Sequence, residues 1–511
     1  MTSTRSISRA AALATALLAT PMAAAPAVAG KADDTLRVAW GLQLDNPDVY
    51  FNTLREGIVF ARLVWDNLVE RDPVTFAHRP GLATAWRQVD PTTLEFDIRQ
   101  GVKFHNGDPL DADDVVYTVN WVADPANKIL YQQNVNWIAR AEKLDQHKVR
   151  IIMKQPFPIA LEHLAGTIFI YPRKYHQQVG PAGMARAPVG SGPYKVDRID
   201  GPRFEMSRFE GHYADSPKGR AKISKLSIRS MPDVATQIAE LMGGGVDLLW
   251  YLPADQTDRM EKLANLSVAR GESMRVGFLI LDAAGRTGAG NPMTNVKVRQ
   301  AVAHAIDREA IAKNLVRGAA RAIHAPCFPA QFGCDDSSAT KYAYDPARAK
   351  ALLAEAGLAG GFQSELVWFR DRARSEAVAG FLGAVGIRTT LTSLQNAAAN
   401  KRYQENGIPI YYNDWGSYSI PDAAFIINNF FRGSPDDGAR DAEVKAILDR
   451  TDSAIDPAER KALFRQAIER ITAAAYWVPL HTFVTNFAFS KDLDFQAFAD
   501  DIPRYYLYGW K

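Results

Sequence analysis

The sequence predicts a mixed α/β protein with more than one packed unit. Three observations carry this. Short runs rich in β-branched and aromatic residues alternate with capped, helix-period runs along the whole chain. The length of 511 residues implies two to four domains, or one large lobed unit, at roughly 100–200 residues per domain. Apolar residues at 47% and charged residues at 23% are ordinary globular values. They exclude disorder, collagen and coiled coil as the overall class.

In chain order, strands are expected at Thr35–Trp40, 94–99, 149–153, 204–208, 226–230, 274–282, 365–369, 388–394, 408–412 and 485–489. Each is short, and many are bounded by Gly or Pro. Asp111 and Asp114 open a helix that places Val115, Val119 and Val122 on one face. Val298, Val302, Ala305 and Ile306 begin another, expected to continue to Leu315 and stop at Gly318. Asp345-Pro346 supplies an N-cap and a Pro at the first helical position, and Gly357 closes that run. Asp456-Pro457 repeats the device before Leu463, Ala467 and Ile471. No fixed-period repeat is present. Asn291-Pro292, after the Gly-rich stretch 285–290, is the best single breakpoint. It follows the run 274–282, which is long enough to cross between lobes.

Sixty basic and 57 acidic residues give a net charge of +3, and Arg5 and Arg9 are the only charges before Gly30. The rest of the chain is nearly neutral, so no bulk attraction to nucleic acid or anionic membrane is expected. Arg5 and Arg9 precede an apolar run at 10–19, then Pro21, Pro26 and Ala27-Val28-Ala29. This is the pattern of a cleaved signal peptide, 1–29, and ten residues are too few to span a bilayer. No Cys follows the run, so a lipid anchor is not expected. The only two cysteines, Cys327 and Cys334, form an even, local pair. In an exported chain that pair reads as a disulfide closing a loop of about eight residues, worth roughly 2.5 kcal/mol.

A search for catalytic signatures finds none. The nine histidines include no H-E-x-x-H pair. Gly190-Ser191-Gly192 lacks the nucleophile-elbow context, and Gly243-Gly244-Gly245 has no following Lys-Ser/Thr. No metal site and no cofactor are expected. His105, in the turn-forming FHNGD stretch at 104–108, reads as structural.

Several motifs occur in a telling order: LVWDNLVE at 63–70, PGLATAW at 80–86, LEFDIRQGVKFHNGD at 94–108, DADDVVY at 111–117, GSGPY at 190–194, VRQAV at 298–302 and YDPARAKALL at 344–353. Together they resemble the family 5 extracytoplasmic solute-binding proteins of ABC importers, the dipeptide-, oligopeptide- and nickel-binding group. The resemblance covers nearly the whole mature chain. It implies a two-lobed periplasmic-binding-protein fold of the cluster C type. Lobe one would take 30–280, with an extra subdomain at roughly 76–188. Lobe two would take 281–484, and 485–511 would return to lobe one. Crossings near Leu281 and Phe483 would form a hinge that closes the lobes on a solute.

The resemblance further implies a periplasmic monomer that delivers a peptide-like or other small polar solute to an inner-membrane permease. A metal chelate is the alternative cargo, and an exported α/β enzyme the alternative class. Trp415 maps onto a cleft-lining Trp of the family. Tyr418 stands where many peptide binders carry an acidic residue, so the usual partner of a ligand ammonium is replaced; Asp414 or Asp422 could substitute. Arg372, in preference to Arg370, is the expected carboxylate-binding Arg. Tyr50, His481 and Phe483 complete the expected ligand-binding set.

Overall fold

The computed structural model describes residues 30–52, 54–369 and 371–511, so the expected signal peptide and Arg370 lie outside the described residues. A ten-stranded sheet runs through the molecule. Its order is Ile387–Ser393, Phe362–Trp368, Ile410–Trp415, Leu266–Leu281, Trp477–Ser490, Leu248–Trp250, Thr35–Trp40, Lys225–Ser230, Arg203–Arg208 and Tyr194–Asp200. Parallel pairs lie toward both ends. Phe362–Trp368 is parallel to Ile387–Ser393 and Ile410–Trp415, and Thr35–Trp40 to Lys225–Ser230 and Leu248–Trp250. Among them Thr35–Trp40, Leu248–Trp250 and Ile410–Trp415 are buried along nearly their whole length, as strands covered on both faces are, whereas the edge strand Ile387–Ser393 is buried at Ile387 and mostly exposed beyond it.

Leu266–Leu281 and Trp477–Ser490 run antiparallel along almost their full length and join the lobes. Val276, Phe278 and Ile280 pack with Trp477 and Phe430 in one core, whereas Leu266 and Ala488 pack with Leu241 and Leu249 in another. Each long strand therefore changes core part-way. The ladder slips register between Ser273 and Val276, so the packing puts the first crossing well before the expected Leu281. The cause is local: Arg270, Gly271, Glu272 and Ser273 interrupt the apolar run, and the strand continues through them because its partner supplies the ladder.

Lobe one carries a separate four-stranded sheet, Ala83–Asp90, Thr93–Ile98, Lys148–Met153 and Ile138–Asp145, within the region expected to form a subdomain. Helix Ala112–Ala123 covers it with buried Val115, Val119 and Val122. Its start is a capping box: Asp111 accepts from Asp113 N–H at 2.9 Å, and Asp111 N–H donates to Asp114 at 3.0 Å. Asp345 and Asp456 likewise accept from Arg348 N–H and Ala458 N–H. Helix Val296–Ala305 ends earlier than expected, because Asp307 caps a new turn by accepting from Ala310 N–H at 2.9 Å.

His105 is a bracket between loops. Gly190 N–H donates to its Nδ1 at 3.3 Å, and its Nε2 donates to Gly192 O at 3.0 Å. A Cβ at Gly190 would lie 2.0 Å from Val64 O, so this loop can press onto the first helix only with glycine there. Cys327 and Cys334 are joined, with Cα atoms 5.8 Å apart. Their loop lies along the segment after Tyr418: Gln331 donates to Ile420 O at 2.9 Å and Phe332 N–H to Pro421 O at 2.8 Å. No helix of the described residues is long and apolar enough to cross a membrane.

Candidate functional site

An interlobe cavity of about 860 Å³, counting space open to solvent, lies between the loop after the first strand and the turn that carries Tyr418. Lobe one contributes the loop and helix that follow the first strand, including Tyr50, Leu54, Ile58 and Arg62, with Ile129 and Tyr131 from the subdomain. Lobe two contributes Tyr418, Ser419 and Ile420. A narrower space of about 210 Å³ lies among Asp371, Arg374, Tyr412, Asp414 and Phe483.

The turn that carries Tyr418 is unusual. Ser417, Tyr418 and Ser419 have φ of +47°, +50° and +61°, three consecutive non-glycine residues in the left-handed region. That conformation costs roughly 1–2 kcal/mol per residue. Lobe one holds it: Arg71 donates to Ser419 O at 3.2 Å, and Arg55 donates to the Ser419 hydroxyl. The Tyr131 and Tyr418 rings meet across the gap at 5.9 Å.

The expected residues fall into three groups. Tyr50 and Tyr418 line the large cavity, and Asp414 and Phe483 line the narrow one. Trp415 and His481 stand behind these walls. The Trp415 ring packs edge-on against Tyr418 at 5.2 Å and Phe430 at 5.4 Å, and its Nε1 has no acceptor among the described residues. His481 is fully buried; its Nδ1 donates to Thr482 O, and Nε2 accepts from Tyr412 at 2.9 Å. Arg372 is the misplaced residue. Its side chain is 80% exposed and pairs with Glu376 at 2.7 Å. Asp371 caps this helix by accepting from Arg374 N–H, so Arg372 begins the helix facing outward. Two positions later, Arg374 turns inward over the Phe483 ring at 4.6 Å.

The carboxylates near the cleft are already engaged. Asp414 pairs with Arg275, Asp371 with Arg374 at 3.0 Å, and Asp422 takes two hydrogen bonds from Arg460 at 2.6 and 2.9 Å. Asp422 is therefore a structural anchor rather than a stand-in for the missing acid at 418. Sequence reasoning missed Arg55, Arg62, Arg71 and Arg275. One signal was present: Arg62 interrupts the apolar run Val59-Phe60-Ala61 and Leu63-Val64, where a surface helix would show a polar face.

Burial sets the protonation of the local histidines. It pushes His481 down to about 3 and His163, whose ring meets Phe425 of lobe two, down to about 4. Both stay neutral when folded, yet take up a proton below about 6.5 once unfolded. Their contribution to stability is complete above that pH and falls as pH drops toward 4. The buried Asp48, pushed up to about 6, acts in the opposite sense between its unfolded value and 6. Calorimetry from pH 7.5 to pH 4.5 should show a falling Tm, less steeply in His481→Gln. A Tm that rises over this range contradicts the assignment.

Comparison with known proteins decides the family. Residues 78–437 match the profile of the bacterial extracellular solute-binding proteins, family 5. The chain belongs to that family. Among curated family 5 relatives, the glutathione-binding protein GsiB of Escherichia coli (strain K12) is 28% identical over 426 residues, covering 79% of this chain and 80% of the relative. Among solved structures, HbpA2 of Haemophilus parasuis superposes with a TM-score of 0.80 at 24% identity, covering 93% of this chain and all of the other. The periplasmic binding protein DppA of Helicobacter pylori, in complex with the peptide STSA, gives 0.74 at 22% identity, covering 93% and 98%. These likenesses show the two-lobed periplasmic-binding-protein fold. A family 5 protein of this fold binds its solute rather than transforming it.

Proposed function

We propose that this protein captures a peptide-like or other small polar organic solute in the periplasm, by closure of its lobes, and passes it to an inner-membrane ABC permease. The carrying observation is the interlobe cavity, whose two sides come from separate cores linked by the long strand pair and by contacts across the gap at Ser419, between Tyr131 and Tyr418 and between His163 and Phe425. Such a cleft closes by bending at the crossing strands, and closure excludes water from the ligand contacts. The relatives support the cargo class, one named as glutathione-binding and one solved with a bound peptide.

Native mass spectrometry of protein taken from its own periplasm tests this directly: a released small organic solute is expected, and a metabolised product would count against it. The export reading has its own test. N-terminal sequencing of periplasmic protein should begin at Gly30, and an intact Met1 there would be fatal to it.

The cleft is further expected to discriminate little in favour of a free amino terminus. Tyr418 supplies no charge, and Asp371, Asp414 and Asp422 each pair with an arginine. Free and N-acetylated forms of one solute should bind within about tenfold, or roughly 1.4 kcal/mol. A much larger preference for the free amine would make one of those carboxylates its partner.

A further inference from the structure

We propose that the turn Ser417–Ser419 is a latch between the lobes, clamped by Arg55 and Arg71, and that these arginines are positioning residues that set how long the lobes stay closed. This rests on the solute-binding reading above and adds to it what holds the cleft shut.

Both clamps belong to lobe one and are anchored there. Arg55 opens the first long helix, Arg55–Val64. Its Nη1 donates to Asp500 O at 3.1 Å, and its Nε lies 3.8 Å from Asp501. Asp501 in turn accepts from the Tyr251 hydroxyl at 2.5 Å and from Thr485. From that base the same Nη1 donates to the Ser419 hydroxyl. Arg71 is fixed by Glu162, through the carboxylate at 2.6 Å and the backbone O at 3.3 Å, and its Nη1 donates to Ser419 O at 3.2 Å. Ser419 is 2% exposed, so these charge-assisted bonds are shielded from water. The far end of the turn is fixed to lobe two. Gln331 donates to Ile420 O, Phe332 N–H to Pro421 O, and Asp422 pairs with Arg460. The turn is thus strung between two anchored ends, and parting the lobes breaks it away at Ser419.

Two penalties belong to the latched form alone. Three consecutive residues are held at positive φ, and the buried Ser417 hydroxyl has no hydrogen-bond partner among the described residues. When Arg55 and Arg71 withdraw, the backbone relaxes and water reaches Ser417. A turn strained in one state and relaxed in the other is a two-state element. The bonds that offset its strain are made wholly by protein groups, and Arg55 is not among the residues that line the cavity. The closed form is therefore populated before a solute arrives, and the solute shifts an existing equilibrium.

Small-angle X-ray scattering and amide hydrogen exchange on the mature protein, after exhaustive dialysis, test this. Wild-type protein should scatter with the radius of gyration of this structure, and Arg55→Gln as a wider particle. The Ser419 and Ile420 amides, which donate to Gly416 O and Ser417 O, should exchange about tenfold faster in that variant, the effect of losing one hydrogen bond to a charged group. Ser419→Ala, which removes the acceptor and leaves Arg55 in place, should do the same and guards against misfolding. Arg55→Lys, which keeps a cation beside Ser419, should restore both readouts. In native mass spectrometry after timed dialysis, Arg55→Gln should lose its copurified solute about tenfold faster than wild type. Wild-type protein that is open after dialysis overturns the latch. So does faster exchange with unchanged scattering, which would make Arg55 a local support, and so does wild-type behaviour in both variants. Wild-type protein that never carries a solute counts against the solute-binding reading, and the scattering test of the latch still stands.

Discussion

Asp422→Ala is expected to lower the unfolding free energy by about 3–5 kcal/mol, the usual cost of removing one partner of a buried ion pair. The Asp422 and Arg460 residues are 3% and 5% exposed, and two hydrogen bonds join them. The same carboxylate accepts from Ala424 N–H at 2.9 Å, at the start of the helix that carries Phe430. Removing it leaves the Arg460 guanidinium buried against Phe332 and Phe464 without its counter-charge. Denaturant unfolding measures the loss. A change below about 1 kcal/mol would mean that solvent reaches Arg460 and that the pair is not an anchor.

Trp415→Ala is expected to weaken solute binding by about 2 kcal/mol or more, roughly thirtyfold. The indole backs Tyr418 edge-on and rests on Phe430, so its removal takes away support from a turn already held in a strained conformation. Unfolding should stay cooperative, since the ring is only partly buried and lies at the edge of its core. Calorimetry with the solute recovered from the wild-type protein gives the number. Unchanged affinity would remove Trp415 from the site and leave the fold untouched.

Much of the fold was legible because local signals and tertiary context agree. Thr35–Trp40 reads as a strand residue by residue, and Asp-Pro openings fix two helix starts. The crossing strands were only half legible. In Leu266–Leu281 the polar middle breaks the apolar pattern, while pairing with Trp477–Ser490 carries the strand through. Site residues were harder, since facing depends on a single step of helix rotation. At 3.6 residues per turn, Arg372 and Arg374 point in nearly opposite directions, and only the position of the Asp371 cap decides which one meets Phe483. Arg71 was missed because nothing in its local sequence shows that its guanidinium reaches Glu162 and Ser419 O, 91 and 348 positions away.

The packing of the C-terminal tail against the first strand has a consequence for how the chain acquires its shape during synthesis. The Trp40 indole donates to the Tyr505 hydroxyl across 465 positions, and Leu493, Phe498, Ile502 and Tyr508 fill the same core as Leu36 and Val38. Lobe two, by contrast, is continuous in sequence from Met274 to the Thr482 region. A chain that emerges from its N-terminus can complete the second lobe first and must keep the first one unfinished until its last residues arrive. Contacts of such long range close slowly, and the half-built sheet edge at Leu248–Trp250 stays open until Trp477–Ser490 docks on it. The interval between synthesis of the first strand and docking of the tail is the stage at which this protein is most exposed to proteolysis and aggregation.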